Sequence, residues 1–265
     1  MELLFALYAF LIGAIVGSFL NVVVHRYPRE ESVVFPPSRC PACGTRIRPW
    51  DNIPVVSWIL LRGRCRACRA PISLRYPLIE LGSALFWLAA WLHLGTSVEA
   101  LLVAILCSMT IALVFIDLEI QILPDVIDLP GIAVGIGLGA LHAGIAHPNL
   151  VLASSLLDSL LGAAFGAALL LAVALSYRLV RKIEGMGLGD VKMIAMIGAA
   201  CGWAAVLPVV FIASAVGAVV GVGIALRRKE GLQFALPFGV FLGIAFFIVL
   251  FFGRALERWY FGLLL

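Results

Sequence analysis

Apolar residues in this chain fall into eight long runs, near Leu3–Val24, Leu78–Leu94, Val98–Phe115, Gly131–Ala146, Leu156–Leu175, Val191–Leu207, Val209–Leu226 and Phe234–Phe252. A helix needs about 20 apolar residues to cross a hydrocarbon core, and these runs approach or reach that length. The pattern predicts an all-α polytopic membrane protein with about eight transmembrane helices, since a helix satisfies its own backbone hydrogen bonds in lipid. The longest polar interruption separates the first two runs. The expected organisation is therefore a first transmembrane helix over 1–24, a loop domain over 25–76 and a membrane-embedded domain over 77–265. No basic residue precedes the first run, and no small-residue cleavage site followed by a soluble domain comes after it, so it reads as a retained helix.

Composition agrees with a bilayer solvent: 63% of the 265 residues are hydrophobic and 13% are charged, against about 25% charged in soluble domains. The distribution of the positive charge predicts orientation. Seventeen of the 19 Lys and Arg lie in the loop 25–76, in the connection 177–192 and at 227–229. With eight spans these stretches share one side, which the positive-inside rule makes the cytoplasm. The same alternation puts the connection 116–130 on that side, so Asp117 and Asp190 share a face.

Cysteine spacing adds a metal site. Cys40-Pro-Ala-Cys43 and Cys65-Arg-Ala-Cys68 form two C-x2-C pairs with 21 residues between them. Such pairs can close a tetrahedral zinc site, each supplying two thiolates. Two disulfides or four unlinked thiols are the alternatives, and a reducing cytosol disfavours the first. A loop of this size builds little core, so a structural zinc would supply folding free energy. Cys107 and Cys201 lie inside apolar runs and read as small buried hydrophobes. The four histidines show no H-E-x-x-H spacing.

Carboxylates at membrane depth are costly and read as functional. Asp117 stands where one apolar run ends, and Asp190 closes Gly185-Met-Gly-Leu-Gly-Asp190 where another begins. The glycines allow close approach of a helix or an extended substrate. Glu119, Asp125 and Asp128 are rivals in the same connection, with helix capping the plainer role for Asp125. Glu80 can pair with a loop arginine or contact substrate, and Lys192 can orient substrate or snorkel to the interface. The glycine runs from Gly131 to Gly139 and from Gly217 to Gly223 lie within apolar spans and read as helix-packing surfaces, not nucleotide loops.

Several segments together resemble the type IV prepilin peptidases, which share a Gly-x-Gly-Asp element with presenilin-type proteases. They are Gly17-Ser-Phe-Leu-Asn-Val-Val-Val-His-Arg-Tyr-Pro28, the cysteine loop with Asn52-Ile-Pro-Val-Val-Ser-Trp58, Arg75-Tyr-Pro-Leu-Ile-Glu80, Asp117 to Asp125, Gly187-Leu-Gly-Asp-Val-Lys192 and Pro237-Phe-Gly239. Val240 and Met193 depart from the usual proline and leucine, away from the expected chemistry. The resemblance implies a bacterial inner-membrane aspartyl endopeptidase with Asp117 and Asp190 catalytic, while Gly187, Gly189, Lys192 and Glu80 are candidate substrate contacts on the reading of the residues themselves. It implies prepilin or pseudopilin precursors as partners, beside the lipid bilayer, with no nucleic acid. It further implies methylation of the new amino terminus by S-adenosylmethionine, whose seat the sequence does not identify. A proton-coupled transporter or a zinc-containing scaffold would explain only part of these features.

Overall fold

The computed structural model describes residues 1–142, 147–182, 186–228 and 236–264, with side chains at 227–228 and 260–264 left aside. Lys229, Gly185, the end of the apolar run at Ala146 and the start of the one at Phe234 lie outside the described residues, as do the side chains of Arg227 and Arg228. Nine α-helices are described: α1 (Glu2–Arg26), α2 (Val56–Leu60), α3 (Arg75–Leu94), α4 (Val98–Ile120), α5 (Asp125–Leu141), α6 (Leu156–Arg181), α7 (Leu188–Cys201), α8 (Trp203–Arg228) and α9 (Phe238–Leu264). Two isolated bridges, Arg39 with Arg46 and Arg64 with Pro71, are the β-type pairings among the described residues. The chain forms two compact units, 1–112 and 113–265.

The eight long helices follow the eight apolar runs, and six of them are long and apolar enough to cross a membrane individually: α1, α3, α4, α6, α8 and α9. The remaining two are shorter, with 17 residues in α5 and 14 in α7. At 1.5 Å per residue α7 extends roughly 20 Å, less than the ~30 Å hydrocarbon core. Its brevity has a local cause. The run expected to continue from Val191 to Leu207 breaks at Gly202, whose φ is +84°. The Asp158 carboxylate sits where a side chain would project, with Oδ2 2.6 Å from an ideal Gly202 Cβ. It accepts from the Trp203 N–H at the start of α8 (3.1 Å) and from both the N–H and the hydroxyl of Ser154 (2.8 and 2.9 Å). Asp158 is thus a helix-end strut.

Two other boundaries move. Helix α4 runs on to Ile120, which places Asp117 inside its last turn rather than beyond it, and α5 starts at Asp125 and carries Pro130 within it. The expected connection 116–130 contracts to the four residues between these helices.

In the first unit α1 lies against α3 through glycines. A Cβ on Gly13 would meet Trp87 Cβ at 2.6 Å, and one on Gly17 would meet the Glu80 Cα at 2.6 Å. The second unit is built around α7, of whose 14 residues ten are buried. Helices α5 and α6 approach it at small residues. A Cβ on Gly162 would lie 2.1 Å from the Gly198 carbonyl oxygen, and one on Gly198 2.2 Å from that of Gly162. The Ser159 hydroxyl donates to the Ala199 carbonyl at 2.6 Å. Lipid provides no hydrophobic force between helices, so close backbone contact of this kind is what drives them together.

Gly198→Ala should therefore destabilise the protein by about 3 kcal/mol or more, because the neighbour it would strike is backbone and cannot rotate away. Gly137→Ala, where no atom of the described residues outside its own stretch of helix lies within 4 Å of the new methyl, should leave the thermal midpoint in detergent near the wild-type value. Paired thermal unfolding curves check the contrast.

Candidate active site and metal centre

Asp117 projects from the last turn of α4 and is 4% exposed. Its Oδ2 accepts from the Val240 N–H at 3.1 Å, and the Gly239 N–H is also directed at it. Both donors belong to the first turn of α9, where backbone N–H groups have no intrahelical partner and a helix favours negative charge. The Pro237-Phe-Gly239 segment thus acts as an anion cradle. Glycine is required at 239, where a Cβ would stand 2.9 Å from Asp117 Oδ2 and 3.0 Å from Leu123. Val240 is consequently not remote from the chemistry, as the sequence comparison suggested: a proline at that position would have no N–H to give Asp117.

Asp190 occupies the third position of α7, after the N-cap Gly187, with the Gly187 N–H aimed at its carboxylate and Asp117 as the charged group acting on it. The structure therefore brings the two sequence-selected carboxylates into one electrostatic neighbourhood, each facing a helix N-terminus. Gly189 has a packing duty there, since a Cβ on it would lie 2.7 Å from the Leu123 Cβ. Leu123 packs against Gly189 and Gly239, one beside each carboxylate, and is 8% exposed. Sequence reading passed over it, although its place between Asp117 and Pro124-Asp125 was the available signal. Among the described residues, no non-local atom lies near an added Cβ at Gly187.

The rival acids separate clearly. Lys192 Nζ pairs with Asp125 Oδ1 at 2.6 Å, and both side chains are partly exposed. Glu119 is exposed on α4. Asp128 is fully buried, and neither of its carboxylate oxygens has a hydrogen-bond partner among the described residues. The charges bearing on it are Asp125, Lys192 and Asp190. Its depth was not legible from the sequence, where it looked equivalent to Asp125.

In the first unit Glu80 is a strut. Its Oε2 accepts from the Val55 N–H at 2.7 Å and it also bonds the Ser18 hydroxyl. Asn21 Nδ2 donates to the Tyr76 carbonyl at 3.0 Å, so the end of α1, the start of α3 and the intervening loop are tied together.

The four cysteines form two equivalent turns. Cys40 N–H donates to Thr45 O and Gly44 N–H to Cys40 O, while Cys65 N–H donates to Ala70 O and Arg69 N–H to Cys65 O. Gly44 and Arg69 hold the same left-handed position, at φ 69° and 61°. All four sulfurs lie within 4.8 Å of one another, the one group among the described residues with metal-ligand spacing. The Thr45 hydroxyl draws the Cys43 thiol down to about 6. At Cys68 the Ala70 N–H acts in the same direction, but the facing sulfurs of Cys43, Cys65 and Cys40 drive it up to about 11. Four sulfurs so crowded cannot all ionise alone, which is the donor set a soft divalent cation satisfies. Across the loop Arg66 bonds Asp51 through two nitrogens, at 2.6 to 3.0 Å, and holds the Asp51 carboxyl below its usual range.

With this geometry in view, comparison with known proteins is informative. Residues 11–94 match the bacterial Peptidase A24 N-terminal domain, and residues 104–222 match the type IV leader peptidase family. A prepilin leader peptidase/N-methyltransferase of Pseudomonas aeruginosa is 40% identical over 97% of this chain and 94% of its own length. Proteins of the same name from Aeromonas hydrophila and Pseudomonas putida are 38% and 39% identical, over 95% and 92% of this chain and 92% and 90% of theirs. No solved structure matches the chain. Two family matches in tandem and this level of identity over nearly the whole length leave one assignment: the chain belongs to the type IV leader peptidase family.

Proposed function

We propose that this protein is a bacterial inner-membrane aspartyl endopeptidase that removes the short basic leader of type IV prepilins or pseudopilins at the cytoplasmic face. It then methylates the new amino terminus with S-adenosylmethionine. The observation that carries the peptidase reading is that Asp117, buried on α4, and Asp190, half-buried on α7, act on one another electrostatically within one unit. The names of its full-length relatives support the substrate and the second activity.

Two neighbouring carboxylates that repel one another in a partly desolvated site cannot both ionise easily, so the pair keeps one proton between them. The ionised member takes a proton from a water molecule, and the protonated member donates to the scissile carbonyl, as in other aspartyl proteases. The carbonyl carbon acquires the water oxygen directly, without a covalent enzyme intermediate. The Val240 and Gly239 N–H groups fix the orientation of Asp117 throughout, and the Gly187 N–H does the same for Asp190. Gly187 leaves open space beside Asp190 for an extended backbone. A transporter with the same aspartates is disfavoured by their position near helix ends rather than at the midplane.

The positive charge of the loop 25–76 and of 177–192 supports placing the site on the cytoplasmic side. A precursor with its apolar helix in the bilayer and its leader in the cytoplasm would present its scissile bond there. The cysteine set supports a structural zinc, one per chain, held by Cys40, Cys43, Cys65 and Cys68. Methyl transfer requires a neutral amine, and an amino terminus with a pKa of about 8 is partly neutral at cytosolic pH. The work left to the protein is orientation, which a metal-folded loop can provide.

Asp117→Asn and Asp190→Asn should each reduce cleavage of a purified prepilin by roughly a thousandfold or more, because each removes one member of an acid–base pair. Asp125→Asn should retain most activity, since it breaks a partly exposed ion pair worth about 1 kcal/mol or less. Mass spectrometry of the product decides both; processing by either of the first two variants would overturn the assignment. Metal analysis should give one zinc per chain, lost in a Cys40→Ser, Cys43→Ser protein. That protein should methylate a pre-cleaved pilin poorly, whereas a folded Asp190→Asn protein should methylate it at the wild-type rate. The opposite pattern would show that the two activities share one site.

A further inference from the structure

Helix α2 is amphipathic with its apolar side turned outward. Its inner side is tied to the loop: Ser57 is buried and its hydroxyl donates to the Trp50 carbonyl at 3.0 Å, and Trp58 Nε1 donates to the Ile72 carbonyl at 3.1 Å. Its outer side presents Val56, Ile59 and Leu60, which are 48%, 62% and 76% exposed, continued by Ile53 and Trp50 at 48% and 59%. Within α2 the spacing of Val56, Ile59 and Leu60 is that of one helical face. A contiguous apolar face of this kind on a polar loop marks an interaction surface.

Two observations identify what it meets. The first is depth. The residue before α2, Val55, is bonded through its N–H to Glu80, which lies five residues into α3, or about 8 Å along its axis. If α3 spans the membrane, α2 is pinned beside the point where that span enters the bilayer. The second is charge. Arg48, Arg62 and Arg64, which flank the apolar stretch in sequence, are all exposed, and Arg48 stacks over the Trp50 ring at 5.7 Å. The nearby acid, Asp51, is already engaged by Arg66. A basic leader peptide would be repelled by this rim, whereas anionic lipid headgroups are attracted to it. An apolar face edged by arginine, with tryptophan at its margin, has the composition of an interfacial helix.

We infer that α2 lies in the membrane interface, its Ile53, Val56, Ile59 and Leu60 face sunk among the acyl chains and its arginines on anionic headgroups. The two cysteine turns are then docked on the bilayer surface rather than free above it. This inference rests on α1 and α3 crossing the membrane and is independent of the catalytic assignment.

The test uses the full chain carrying a photoreactive benzophenone amino acid in place of Leu60, reconstituted in nanodiscs of phosphatidylglycerol or of phosphatidylcholine. Adducts are identified by mass after illumination, with and without prepilin. The expected result is a lipid adduct, at least about threefold more abundant in phosphatidylglycerol and lowered by a similar factor in an Arg48→Glu, Arg62→Glu, Arg64→Glu protein. Zinc content shows whether that variant is folded, and if it is not, the comparison of the two lipids on the unaltered loop decides alone. An adduct to prepilin or to a second copy of the chain, no adduct, or a lipid adduct insensitive to headgroup charge would overturn the inference.

Discussion

An acid drawn away from water loses hydration, and at Asp117 and Asp190 backbone N–H groups of the second unit supply part of the compensation. Asp117 faces the N–H groups that open α9, and Asp190 faces the N–H that opens α7. Helix N-termini are a fixed source of partial positive charge, and they require no counter-ion that might block a substrate. The arrangement demands that two helix starts converge on the last turn of α4. Gly189 and Gly239 permit that convergence by receiving Leu123, and Gly162 and Gly198 permit it further along α7 by bringing backbone onto backbone. Packing of small residues and placement of charge are therefore parts of one constraint.

The first unit solves a different problem. A polar segment of some 50 residues has too little apolar material for a core of its own, so its order comes from attachments. The four sulfurs gather its two turns, Arg66 ties the second turn to Asp51 in the segment between them, and Glu80 fastens the loop to α3. Removing any one attachment loosens the rest.

Reading the sequence captured the helices because period and length in lipid leave little choice, and it captured Cys40, Cys43, Cys65 and Cys68 because ligand spacing is local. Asp117 and Asp190 were legible through their motifs and their unusual cost at membrane depth. Other features depended on tertiary approach and were not legible. Asp125 and Asp128 lie three residues apart on α5, yet one is paired with Lys192 at the surface and the other is sealed. Val240 seemed incidental because its contribution is a backbone N–H, which side-chain identity reveals only when proline removes it. The break at Gly202 lay hidden inside a continuous apolar run, since its cause is an aspartate 44 residues earlier.

We propose that Asp117 and Asp190 act jointly on a single tetrahedral centre. A leader peptide whose scissile amide is replaced by a hydroxyl-bearing tetrahedral isostere isolates that property, because it resembles the reacting centre without being cleaved. Its affinity should be measured by calorimetry for the wild-type protein and for folded Asp117→Asn and Asp190→Asn proteins. Each substitution should weaken binding of the isostere about a hundredfold while an unmodified amide peptide binds all three proteins similarly. Equal affinity of the isostere for wild type and either variant would rule out joint action of the two carboxylates.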